Sequence, residues 1–391
     1  MSDQKDVISV LAPHATIKQV SRRAFLAGAT ATVAGGSLIL TGCGEDEAPT
    51  TGGTGSSSGP LEDQINMYTW GAYDYPKVMK QFTEEFGPAL KLSSYDSNEQ
   101  MISKLVATKG TSGFDIVVPT GVFIPQMVQA ELLEPLDLAR IPNFENIAEE
   151  YRDQPWDPGN GYSVPKAWGT TGYVYDKTKV TRPMATWQDF FDAAADEASG
   201  QTSMLADPNE VIGAYFWAND EDWNTTDTAA LDACEDYLID NIAPHVKAFE
   251  SYPGTNGIPQ GSYYLCQAWN GDGRQGIIDS GTDNWVWVFP GPRSELWMDN
   301  WTIPTGAPNP NAAYEWINYN LDPEVSLETL SWVGYHTAVA DIEPAAEEAG
   351  IERLDMIFFT PEQVATMDAG EVNDSQTRRV EIFNNVKAAA V

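Results

Sequence analysis

The chain has 391 residues, of which 57 are Asp or Glu and 22 are Lys or Arg, for a formal net charge of −35. Acidity on this scale repels DNA, RNA and anionic lipid headgroups, so nucleic acid and bare membrane surfaces are excluded as partners. Hydrophobic residues make up 42% of the chain, which excludes global disorder, and the length suits one large domain or two smaller ones.

The acidic residues run through the whole sequence rather than one tail. This matches a surface adapted to very high salt, and it makes any single aspartate beside an aromatic weak evidence of a site.

The N-terminal segment "SRRAFLAGATATVAGGSLILTGC" places Arg22 and Arg23 ahead of an apolar stretch that ends in Leu40-Thr41-Gly42-Cys43. It resembles a twin-arginine export signal followed by a lipoprotein processing box. Residues 1–42 are read as the signal peptide, Cys43 as the lipid-bearing residue, and 43–60 as a flexible tether too polar to bury. The expected location is the outer face of the cytoplasmic membrane, extracellular or periplasmic. Cys234 and Cys266 are the other cysteines, compatible with a disulfide or with two separate buried thiols. The histidines at 14, 245 and 336 share no ligand spacing with cysteines, so no metal or other cofactor is expected.

The body opens with a strand at 65–70, a helix over 75–87, a second strand at "ALKLSSYDS" and a helix over 98–110. A continuous apolar strand over 114–123 and a helix at "IPQMVQAELLEPL" follow. This rhythm, with Ile116-Val117-Val118 unbroken, suits a largely parallel sheet. After a looped stretch from 143 to 165, residues 162–176 read as one long strand or two. Helices are expected at 186–199 behind Thr186, from Asp207-Pro208 to 217, and at 228–240. A strand ending at Trp269 leads to a helix expected to start after Asp272; 284–291 is a strand, and the rest from Asn311 is mostly helical. The chain thus contains two α/β series with crossings near 165–170 and near 300, and the gap between them is the default ligand site.

Five segments end at the carboxyl side of strands, where open α/β sheets bind ligands. They are Trp70–Tyr73, Pro119–Phe123, Asp207–Glu210, Trp269–Gly271 and Trp297–Asp299. Each also has a plainer reading. Trp70 and Trp297 could pack a core, and Thr120 could close a turn. Asp207 ahead of Pro208 fits a helix N-cap, with Glu210 in the reciprocal capping position. Asp299, flanked by Trp297, Met298 and Trp301, needs a partner if buried, and Arg293 is one candidate.

From about Ile65 to Tyr335 the chain resembles the spermidine/putrescine-binding proteins of polyamine ABC importers. The resemblance is carried by "YTWGAY", "YDSNEQMISKL", "FDIVVPTG", "NFENI", "PWDPGNGYSVPKAWGTTGYVYD", "LADPNEV", "AWNGD", "LWMDNWTIP" and "VGYHTAV". It implies an α/β, two-lobed periplasmic-binding-protein-like fold (type II) with the ligand cleft between lobes. The implied lobes are 61–167 with 299–345 and 168–298, followed by a helical segment over 346–391. It also implies roles: Trp70 near the mouth, Thr120 as a hydroxyl donor, Asp207 and Glu210 on a terminal ammonium, and Trp269 stacking on the alkyl chain. Trp297 would form the other wall, Asp299 would hold the central or second amine, and Tyr335 would close the site. The partners implied are a polyamine and membrane permease subunits. The sequence departs from the family pattern at Gly71, where a hydroxyl residue is usual, and at Val122, where a tyrosine is; Gln376 matches a family glutamine only with gaps.

Two rival readings remain at this level. A quaternary ammonium osmolyte also suits aromatic walls, but needs fewer carboxylates. A glycosidase-like hydrolase would use the same carboxylates as acid and base, yet no GxSxG, HExxH or P-loop is present, so no enzyme is expected.

Overall fold

The structure, a computed structural model, describes residues 59–390 apart from Asn256. The export segment, Cys43 and all but the last residues of the tether lie outside the described residues.

Strand β1 (Gln64–Trp70) leads into helix α1 (Pro76–Phe86), strand β2 (Ala89–Tyr95) and helix α2 (Asn98–Ala107). Strand β3 (Ile116–Val117) and helix α3 (Ile124–Gln129) complete the series. The three strands form a parallel sheet in the order β2-β1-β3. Pro76 starts α1 where its missing N–H costs nothing, and Val78 and Phe82, one turn apart, bury its inner face.

Two expectations change here. The strand expected over 114–123 is reduced to the two ladder residues of β3. Pro119 has no N–H to donate, and Gly121–Phe123 turns into a 3₁₀ helix. The Val118 carbonyl instead accepts the Trp70 indole N–H at 3.1 Å and the Tyr95 hydroxyl. Helix α3 stops at Gln129, because Glu131 takes a left-handed φ of 54°.

The stretch 162–176 forms two strands in different sheets, β4 (Val164–Gly169) and β5 (Thr171–Asp176), separated by Thr170. Helix α4 (Trp187–Ala195) begins at a capping box between Thr186 and Asp189. Strand β6 (Thr202–Met204), helix α5 (Pro208–Ala218), helix α6 (Thr228–Tyr237) and strand β7 (Val246–Phe249) follow. Strand β8 (Leu265–Trp269), helix α7 (Asn270–Ser280) and strand β9 (Trp285–Val288) complete the second series. Its five-stranded sheet, in the order β7-β6-β8-β5-β9, is mixed: β6 is parallel to β7 and β8, while β5 is antiparallel to β8 and β9. Helix α7 starts directly at Asn270, not after Asp272. The Asn270 side chain accepts the Thr170 N–H at 3.0 Å and donates to the Met356 carbonyl at 2.7 Å, which anchors the strand-to-helix corner.

The chain then returns through β10 (Ser294–Glu295) and β11 (Trp297–Trp301), and β11 runs antiparallel to β4. Bridges between Val117 and Thr302 and between Thr120 and Asp299 tie β11 to the segment after β1 and β2. Helices α8 (Pro310–Asn320), α9 (Pro323–Val333), α10 (Ile342–Glu348) and α11 (Pro361–Val364) come next. Strand β12 (Met367–Asp368) pairs with β10, and helix α12 (Gln376–Ala389) ends the fold.

Two main hydrophobic cores result. One joins residues 65–167 to 297–338; the other joins residues 173–288 to Ile382, Phe383 and Val386 of α12. The C-terminal helix is thus part of the second core. Cys234 and Cys266 are buried free thiols in separate clusters. Among the described residues, no helix is long and apolar enough to cross a membrane.

Candidate ligand-binding site

Residues from both cores line a cavity of about 230 Å³, and all eight side chains singled out in the sequence reach its wall. Asp207 caps α5, its carboxylate accepting the N–H of Asn209 at 2.8 Å and of Glu210 at 3.4 Å. The capping role and the cavity position therefore coexist. Glu210 does not reach back as a reciprocal cap. Its Oε1 accepts the Thr171 hydroxyl at 2.9 Å and the Trp269 indole N–H at 2.6 Å, which holds the carboxylate toward the cavity.

On the opposite side, the Thr120 hydroxyl donates to Asp299 Oδ1 at 2.8 Å, while Asn98 holds Thr120 through two contacts of 3.0 Å. Arg293 is not the partner of Asp299. It pairs on the outside with Asp220 and Asp368, each at 2.7 Å. The Tyr73 hydroxyl faces Asp299, and the Lys166 ammonium acts on it electrostatically. Lys166 itself is buried, 3.0 Å from Asp74 Oδ1 and from the Tyr73 carbonyl, with its Nζ 4.1 Å from the Tyr73 ring centroid and 4.3 Å from that of Trp301.

The aromatic wall is built edge to face. Ring centroids lie 5.8 Å apart for Trp70 and Trp269, and 4.9 Å apart for Trp297 and Tyr335. The Tyr335 hydroxyl accepts the Asp272 N–H at 3.2 Å. A Cβ on Gly271 would stand 2.5 Å from the Tyr335 ring, so the close approach requires glycine.

The electrostatics are one-sided. Burial pushes the Asp299 carboxyl up to about 7 against the pull of Thr120, Tyr73 and Lys166. Burial likewise raises Asp272 to about 7, opposed by the Gly254 N–H. Asp207 is held well above the usual carboxylate range by burial, then by Glu99 and Glu210. Burial raises Glu210, and burial followed by Glu210, Asp207 and Asp299 raises Glu295 well above its ordinary value. Among the described residues, no lysine or arginine forms an ion pair with any of these five carboxylates. Arg379 reaches the wall, but its guanidinium donates to Ser375 Oγ and to the carbonyls of Trp223 and Thr225.

Sequence reasoning missed Tyr252, Asp272 and Glu295, which also line the cavity, and named Tyr73 only as the end of the segment Trp70–Tyr73. Tyr73 and Asp272 sit inside quoted motifs, YTWGAY and AWNGD, so their neighbours were a usable signal. Val122 lines the wall, as do Gly370, Glu371 and Val372 from the stretch before α12. Gln376 stands behind the wall, donating to Glu99 Oε1 at 2.6 Å and Asn209 Oδ1 at 3.4 Å. His336 packs against Trp168, Tyr151 and Phe358, and burial lowers its imidazole to about 4.

A cavity between two α/β cores, walled by carboxylates and indoles, defines a binding protein with a two-lobed, periplasmic-binding-protein-like architecture. The match to the family of bacterial extracellular solute-binding proteins covers residues 77–352, and the chain belongs to that family. This is a family of binding proteins and not of enzymes. The spermidine/putrescine-binding periplasmic protein of Salmonella typhimurium is 31% identical over 279 residues, 70% of this chain and 77% of that one. The putrescine/agmatine-binding protein of Pseudomonas aeruginosa is 25% identical over 358 residues, 87% of this chain and 96% of its own length. Among solved structures, a spermidine/putrescine ABC transporter substrate-binding protein of Streptococcus pneumoniae has a TM-score of 0.67 at 29% identity, covering 84% of this chain and 99% of its own. The Tp0655 lipoprotein of Treponema pallidum has a TM-score of 0.70 at 25% identity, with the same two coverages of 84% and 99%.

Proposed function

We propose that this chain is the substrate-binding component of an ABC importer and captures a spermidine- or putrescine-like polyamine. The observation that carries the reading is the set of buried carboxylates, drawn from both cores, that face indole rings without a basic partner among the described residues. A polyamine is an alkyl chain carrying separated ammonium groups. Asp207 and Glu210 would take one ammonium and Asp299 another through charge-assisted hydrogen bonds. Trp269 and Trp297 would cover the methylenes, worth about 0.8 kcal/mol each, and add cation–π attraction. Desolvation of the carboxylates offsets part of this gain, so a ligand that leaves one carboxylate unpaired is penalised.

Under this reading, residues 61–167 with 299–345 form one lobe and 168–298 the other. A ligand touching both favours the closed arrangement by its difference in affinity, and a permease then reads the closed surface. The Arg22-Arg23 pair and the Leu40–Cys43 box support export and lipid attachment through Cys43, with the polar tether keeping the binding body near the permease. The distributed acidity supports work in concentrated salt, where enclosed carboxylates rather than surface charge select the ligand.

Calorimetric titration with spermidine, putrescine, spermine and betaine, in low and high salt, tests the assignment. Heat with at least one amine, much exceeding that with betaine, is expected. Binding of betaine alone, or of none of the amines, would refute it.

A further inference from the structure

The cavity holds an acidic side chain that neither the motifs nor the helix caps account for. Glu295 lies on β10, and its Oε2 is 3.4 Å from the Thr171 hydroxyl that also donates to Glu210 Oε1 at 2.9 Å. Glu210 is only 4% exposed, and its Oε2 is buried without a donor. Thr171 and Trp269 both serve Oε1, and the Glu295 carboxyl also interacts with this side chain. Two carboxylates cannot hydrogen-bond to each other while both are ionised; a single proton between them satisfies both.

Among the described residues, the surroundings offer no other neutralisation. Asp207 and Asp299 act on Glu295, and Asp207, with Glu99 behind it, stands beside Glu210. Of the nearby cations, Arg293 is committed to Asp220 and Asp368, Lys166 to Asp74, and Arg379 to Ser375 and backbone carbonyls.

We propose that Glu210 and Glu295 share one proton in the empty site, and that a primary or secondary ammonium group takes the place of that proton on binding. Glu295 is then a specificity-determining residue. The inference rests on reading the cavity as an organic-cation site. One O–H bond breaks heterolytically, its proton passes to the solvent, and two N–H donors of the ligand bridge the carboxylates; no electron transfer is involved. A quaternary ammonium has no N–H to put in the gap, so it leaves the shared proton where it is. The raised protonation of both groups agrees with this geometry. The sign follows by linkage: the empty site binds the extra proton, the filled site does not, so affinity for the amine increases with pH while the empty pair remains protonated. One proton released per ligand corresponds to about a tenfold gain in affinity per pH unit.

The test is calorimetry of spermidine and putrescine binding in two buffers of different ionisation enthalpy, across mildly acidic to mildly alkaline pH, with wild type, Glu295→Gln and Glu295→Asp. The expected result is a buffer-dependent heat in wild type at the acidic end, kept in Glu295→Asp and lost in Glu295→Gln, whose affinity also varies less with pH. Carbon NMR of the wild-type glutamate carboxyls supplies a readout that needs no variant: one pair should titrate above the ordinary range when empty and return to it with spermidine. Amine binding with equal heats in both buffers, or undiminished proton release in a folded Glu295→Gln, would overturn the shared proton while leaving the cation site standing. Absence of amine binding in every buffer would overturn the cation reading, and this inference with it.

Discussion

The Tyr252 hydroxyl, carried by the loop between β7 and β8, accepts the Gly71 N–H at 2.7 Å and donates to the Tyr95 carbonyl at 3.2 Å. It ties the five-stranded half of the molecule to the end of β1 and to β2. A Cβ on residue 71 would lie 2.7 Å from the Tyr252 ring, so the missing side chain at Gly71 and the ring belong to one arrangement.

Gly71→Ser should force the ring aside, and overpacking of this kind costs about 1–3 kcal/mol. Tyr252→Phe should cost about 1 kcal/mol through the loss of both hydrogen bonds. Urea denaturation of the two variants measures this. The pair Gly71→Ser with Tyr252→Ala should be less destabilised than the sum of the singles, because the second change makes room for the first. Strict additivity would show that the ring and residue 71 do not compete for space.

Asp299→Asn should lower affinity for spermidine or putrescine by about 2 kcal/mol or more, the scale of losing one partner from a buried charge pair. The loss for a quaternary ammonium compound should be much smaller, since that ligand cannot donate a hydrogen bond. Isothermal titration of both ligands on wild type and variant decides the point; equal losses would count against a polyamine.

Stability of the ligand-free protein should depend on pH in an unusual direction. Asp299 and Asp272 both titrate at about 7 in the folded chain, against about 3.9 for an unfolded aspartate. Between these values the folded state binds more protons than the unfolded state, so these two residues make stability fall as pH rises through that window. Thermal melts of wild type and Asp299→Asn should converge toward the acidic end and separate progressively as pH rises to about 7, with the variant melting higher and the difference levelling off beyond. A constant difference would show that Asp299 does not retain its proton.

Cys43→Ala should release the chain from membranes into the soluble fraction without changing the fold of the cavity-bearing body. Fractionation of the expressing cell, with metabolic labelling by a tritiated fatty acid, measures both the release and the loss of label. Label retained in the variant would locate the attachment elsewhere.

Much of the fold was readable because hydrophobic period and punctuation agreed. In α1, Pro76 at the start and Gly87 beyond the end frame a helix with Val78 and Phe82 inward. Agreement failed where tertiary contacts overrode the local pattern. The apolar run through Val118 looked like strand, but its carbonyl serves Trp70 and Tyr95. Asn270-Gly271 looked like a turn, yet the Asn270 side chain bonds to two distant backbone segments and lets the helix begin at once.

At the site, Asp207 and Glu210 stood out because they open a helix, and Asp299 because Trp297, Met298 and Trp301 flank it; Asp299 lies inside β11 rather than at the strand end expected of it. Glu295 did not stand out, since a two-residue strand has no period to reveal which way a side chain turns. Tyr252 was hidden for a different reason: its place beside Gly71 joins positions 181 residues apart.

Lys166 has a consequence for the amine chemistry. Its ammonium is clasped by Asp74 and covered by the rings of Tyr73 and Trp301, so the fold already houses one alkylammonium of its own. Tyr73 turns its face to that resident amine and its hydroxyl to Asp299. One phenol therefore separates the lysine from the cavity, and the tail that would most readily impersonate a soluble guest is kept on the far side of the wall.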